Sequence, residues 1–77
     1  MGHTVDINTY AADVLRREAA SKRIPGTAMA RKSGKTQSWV SNHMAGKVPM
    51  DPQDREVLAT LLDIPIMTFL PNRPSPP

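Results

Sequence analysis

Proline and glycine punctuate this chain at short intervals: Pro25-Gly26, Gly34, Gly46, Pro52, Pro65 and Pro71. Beyond residue 24, no stretch free of both is longer than twelve residues. Each breaker ends or opens an element. Pro lacks an amide hydrogen and pushes its predecessor out of the helical region, whereas Gly enters left-handed backbone without steric cost. No apolar run approaches the 18 or so residues that cross a bilayer. Nor does any stretch alternate apolar and polar residues over more than a few positions, so no strand is expected. The chain reads as all-α, a compact bundle of about five short helices.

The first helix is expected from Asn8 or Thr9, either of which can cap it, to about Arg23. Ile7, Ala11, Val14 and Leu15 form its buried stripe, and Asp13 meets Arg17 at i+4. Ile24-Pro25-Gly26 ends it. A second helix covers about Thr27 to Ser33 and is closed by Gly34. Thr36 has the chemistry to cap a third, about Gln37 to Ala45, which Gly46 stops. Asp51-Pro52 opens a fourth, a capping carboxylate followed by Pro at the first helical position. It runs to about Leu62, with Val57, Leu58, Leu61 and Leu62 as its apolar face, and Ile66 to Leu70 form a last helical turn.

By domain, residues 1–8 are an N-terminal segment whose Met1-Gly2-His3 start is compatible with a cloning remnant. Residues 9–70 are the folded domain, and 71–77 a Pro-rich disordered tail or linker.

At 77 residues the chain has room for one domain and a thin core, and none for a large catalytic cleft. With Tyr10, Trp39 and Phe69 its only aromatics, the core must be mostly Val, Leu, Ile, Met and Ala; Met29, Met44, Met50 and Met67 are expected to fill it. There is no cysteine, which removes disulfides and thiolate metal sites. The first ten residues are not basic then apolar, so a secretion signal is not expected. The reading is a soluble, cytoplasmic protein.

The net charge of +3 hides a strong asymmetry. Residues 16–47 carry eight basic side chains against Glu18 alone, a net +7, and the rest of the chain nets −4. Such a divide within one small domain points to a polyanionic partner, unless it is simply a solvated basic surface.

The third helix sharpens the choice. At about 100° per residue, Gln37, Ser41, Ala45, Ser38 and Asn42 share one arc of about 140°. Trp39, His43, Val40 and Met44 occupy the other side. The first face is small, polar and uncharged. An ordinary solvated helix would carry Glu and Lys there. Gln and Asn can each bond an adenine edge in two places, Ser can serve several bases, and Lys35 and Lys47 at the flanks suit phosphates.

The stretch "AMARKSGKTQSWVSNHMAGK" resembles the lambda-repressor/Cro-like, or XRE-like, helix-turn-helix family. That family has a small residue in its first helix, a Gly at the turn and a β-branched residue beyond; here these are Ala30, Gly34 and Val40. The flanks "YAADVLRREAASKRI" and "MDPQDREVLATLLDIPIMTFLP" fit as well, and "QSWVS", "GKVPMD" and "LLDIP" are similar to small regulators of actinobacteria and their phages. The resemblance implies a lambda-repressor-like fold and a transcription regulator, most simply a repressor. It would read double-stranded DNA at a pseudo-palindromic operator, as a possible homodimer, and be nucleoid-associated when bound. Dimer contacts would come from about Leu62 to Leu70. By the same resemblance, Gln37 reads base edges, Ser38 and Asn42 share its face, and Ser41 reaches a base or phosphate. Gly26 and Thr27 at the start of the second helix approach a phosphate. Lys35, Thr36, Arg31 and Lys47 complete the candidate DNA-binding set.

The chain departs from the family pattern in two places. Pro25-Gly26 stand where a Ser or Thr cap and a Gln are usual, and His43 where an aliphatic residue is usual, with Met44 available to supply the missing contact.

Trp39 has two readings, a DNA contact or the edge of a thin core. His43 is a packed or partly exposed histidine rather than a metal ligand, since His3 is its only companion. Gly34-Lys35-Thr36 lacks the first Gly and the preceding strand of a phosphate loop. No catalytic grouping, cofactor, metal or small-molecule substrate is implied. The rival class is a protein-interaction module, antitoxin-like or adaptor, to which Trp39 and the Pro-rich tail would contribute.

Overall fold

The structure, a computed structural model, describes residues 7–71. Its helices are α1 (Ile7–Ser21), α2 (Gly26–Ser33), α3 (Gln37–Met44) and α4 (Pro52–Leu62), followed by a 3-10 turn at Ile66–Phe69. No strand occurs among the described residues. The chain is all-helical, with four α-helices rather than about five. The expected fifth is only a 3-10 turn, closed by the Thr68 N–H on the Pro65 carbonyl and the Leu70 N–H on that of Met67. Five residues between Pro65 and Pro71 are too few to repay helix nucleation. The expected tail from Asn72 onward, and the N-terminal segment up to Asp6, lie outside the described residues.

The other boundaries hold to within a residue or two. α1 is already helical at Ile7, so Asn8 and Thr9 lie inside its first turn instead of capping it. The Asn8 side-chain oxygen accepts the Met50 N–H at 3.3 Å, tying the start of α1 to the segment before α4. α2 begins at Gly26, one residue early, because the extended Pro25 already offers its carbonyl to the Met29 N–H. α4 has the expected start and more. Asp51 Oδ1 accepts the Asp54 N–H at 2.8 Å, while Asp54 answers by accepting the Asp51 N–H, a reciprocal capping box with Pro52 behind it.

All four helices end in one way. A left-handed residue follows each: Arg23, Gly34, Gly46 and Asp63. The next N–H then reaches back to the last turn: Ile24 to Ala19, Lys35 to Ala30, Lys47 to Asn42 and Ile64 to Ala59, at 2.9–3.1 Å. Gly accepts this conformation freely and Asp tolerates it, but for Arg23 it costs on the order of 1–2 kcal/mol. Arg23→Gly is therefore expected to raise stability by about 0.5–1 kcal/mol, net of the entropy glycine adds to the unfolded chain. Urea denaturation of the two proteins measures it.

The core is one cluster. Leu15 of α1, Met29 of α2, Val40 of α3, Leu58 and Leu62 of α4, and Phe69 of the 3-10 turn are wholly buried. Phe69 heads that group in volume, so an aromatic anchors a core expected to be mostly aliphatic. Met29 and Met50 fill it as expected, and Met44 is half-buried, but Met67 is exposed. Ile7 leaves the predicted stripe of α1 and is also exposed. On α4, Val57 and Leu61 are only half-buried, and Ala59 takes an inner place beside Leu58 and Leu62.

Candidate nucleic-acid interface

The placement of α3 begins with its cap. Thr36 Oγ1 accepts the Trp39 N–H at 3.0 Å, and the Thr36 carbonyl accepts the Val40 N–H. The turn before it is set by Gly34 at φ 73° and by Ser33, whose hydroxyl accepts the Lys35 N–H at 3.3 Å. Ala30 is small enough for α2 and α3 to pack closely, and Val40, 1% exposed, fills the contact. The far end of α3 is held by α1. Arg16 donates to the Met44 carbonyl, and Gly46 would bring a Cβ within 3.5 Å of that of Ala12.

With its inner side held, α3 presents the opposite side to solvent. Gln37, Ser38 and Ser41 are exposed, as are Lys35 and Thr36 before the helix and Lys47 after it. Thr27 and Arg31 of α2 are exposed too. Asn42, at the margin of the polar arc, is half-buried. Trp39 is also half-buried, packed against the core with the Lys35 ammonium 5.5 Å from its ring centre. Its core-edge packing is thus a feature of the fold. Gly26, Thr27, Gln37, Val40, Ser41 and Met44 line a shallow groove between the start of α2 and α3, apolar at its floor and polar at its rim. Pro25 provides no side-chain bond to the first turn of α2.

Charge around this face is uncompensated. Among the described residues, Asp13 holds Arg17 at 3.1 Å and Arg16 at 3.6 Å, while Arg31, Lys35 and Lys47 have no carboxylate partner. The Asp13–Arg17 pair was legible from its spacing; being exposed, it adds little.

His43 lies on the face that packs inward, as expected. It is 4% exposed, sits in the core-facing position itself and makes two hydrogen bonds, Nδ1 to the Trp39 carbonyl at 2.8 Å and Nε2 to Asp54 at 2.9 Å. Met44 beside it is half-buried and also packs against the core. The partner carboxylate lies on α4, eleven residues away, with no local spacing to announce it. Among the described residues no cluster of three or more His, Cys, Asp or Glu could hold a metal ion, and no helix is long and apolar enough to cross a membrane. No family model, curated protein or solved structure matches the chain.

Proposed function

We propose that the protein is a sequence-specific regulator that binds double-stranded DNA, most simply a repressor of the phage or prokaryotic type. In this reading α2 and α3 are the two helices of a lambda-repressor-like helix-turn-helix, and α3 enters the major groove. The observation that carries it is the outward ridge of Gln37, Ser38 and Ser41. It is uncharged, exposed, and accompanied by the exposed cations Arg31, Lys35 and Lys47, which have no carboxylate partner among the described residues. Side chains that both donate and accept suit base edges, and flanking cations suit phosphates. The half-buried Asn42 reaches the groove only from the margin, so Gln37 and Ser41 carry more of the reading. Thr27 and the start of α2 face the adjacent phosphate.

One such helix covers about 4–6 base pairs, so the working unit is a two-fold dimer on a pseudo-palindromic operator. Leu62 and Phe69 are committed to the core, which leaves the exposed Ile66 and Met67 as the apolar contacts available near the end of the domain. The protein acts where the chromosome is, in the cytoplasm.

Selection from random duplexes tests the reading. A consensus with two half-sites about one helical turn apart supports it, and recovery of unenriched sequence refutes it. Against the selected duplex, Gln37→Ala should lose about 1–3 kcal/mol of discrimination at one base pair. Lys47→Ala should instead weaken all duplexes alike and flatten the salt dependence by about one phosphate contact. Fluorescence anisotropy over a salt series separates the two behaviours.

A further inference from the structure

His43 is a buried titratable residue that base reading does not use. Its Nδ1 faces the Trp39 carbonyl at 2.8 Å. Nε2 faces Asp54 Oδ2 at 2.9 Å. The imidazole is thus held at both nitrogens, by the Trp39 carbonyl and by Asp54. It cannot turn without breaking a buried hydrogen bond.

A fixed ring fixes what leans on it. The Trp39 indole lies against the imidazole with ring centres 4.1 Å apart and planes tilted by 36°. On the indole, in turn, sits the Lys35 ammonium, 5.5 Å from the ring centre and within cation–π range. A row thus runs from the first turn of α4 to the basic rim of the candidate interface: Asp54, His43, Trp39, Lys35.

One further charged group is bonded to the row. Asp51, the cap of α4, is bonded to Asp54.

We propose that His43 is a positioning residue for DNA binding. Anchored on Asp54, it holds the Trp39 indole as a platform that keeps the Lys35 ammonium at the start of α3, where it meets a phosphate. A free lysine must surrender much of its rotamer freedom to make such a contact; one already seated on an aromatic face surrenders less. The inference rests on the DNA-binding reading above and adds to it the means by which α4 acts on the interface.

The test titrates wild type, Lys35→Ala, His43→Leu, Trp39→Leu and the Lys35→Ala/His43→Leu double variant with a random-sequence 20-base-pair duplex across a salt series. Circular dichroism establishes that each variant is folded. In each single variant, affinity should fall several-fold and the log–log salt slope should shrink by up to about 0.9, one phosphate contact. The double variant should bind no more weakly than Lys35→Ala alone. Trp39 emission should also change in His43→Leu, because its ring contact is lost.

A wild-type slope in folded His43→Leu or Lys35→Ala, or losses that multiply in the double variant, would overturn the inference while leaving DNA binding intact. Should His43→Leu not fold, Trp39→Leu decides by the same slope, since it leaves the His43–Asp54 pair in place. A wild type with no salt-dependent duplex binding overturns the DNA-binding reading and this inference together.

Discussion

Phe69→Ala is expected to destabilise the domain by about 3–5 kcal/mol, the cost of emptying a fully packed aromatic site. Phe69 has no exposed surface and heads the fully buried side chains in volume. It hangs from a four-residue 3-10 turn that packs on both α1 and α4. So short a turn has almost no helical stability of its own. Its order comes from the ring it buries, and with the ring gone the turn loses its reason to stay docked. A domain of this length holds on the order of 4–12 kcal/mol in total. The variant should consequently be largely unfolded at temperatures the parent tolerates, with a collapsed urea midpoint. A loss below about 1 kcal/mol would mean that the turn is not an integral part of the core.

Asp54→Ala should cost nearly as much, about 3 kcal/mol, although the side chain is partly open to water. One carboxylate does two jobs: it accepts the Asp51 N–H to complete the capping box of α4, and it holds His43 Nε2 at 2.9 Å. Losing the first weakens the helix start by about 1 kcal/mol. Losing the second strands a polar nitrogen on a ring that is 4% exposed, a penalty of about 1–3 kcal/mol. The reverse change should be mild. In His43→Leu the Asp54 side chain keeps the Asp51 N–H and is 18% exposed, so its carboxylate is not stranded, and Leu suits the pocket. Urea denaturation of the two variants should therefore separate them by about 2 kcal/mol. Equal losses would show that the pair contributes to stability only as a unit.

Much of this molecule was legible before its structure. Gly34, Gly46 and Pro25 mark helix ends because backbone preference acts within a single turn. The Thr36 and Asp51-Pro52 starts are legible for the same reason: a cap needs only the next three residues. The division of α3 into an inner side with Val40 and an outer side with Gln37, Ser38 and Ser41 followed from helical periodicity alone. The left-handed ends at Arg23 and Asp63 gave no such signal. Neither is glycine, and each takes its conformation because the following residue, Ile24 or Ile64, packs back on the core.

The sequence by itself therefore determined where the helices lie and which side of α3 is polar, since both are set by contacts of four residues or fewer. Only the tertiary structure decided that Phe69 anchors the core, that Ile7 and Met67 stay outside it, and that His43 finds its partner on α4. Burial and pairing are contests among residues distant in sequence. Which competitor reaches a given site depends on how the helices pack, and no local spacing encodes that.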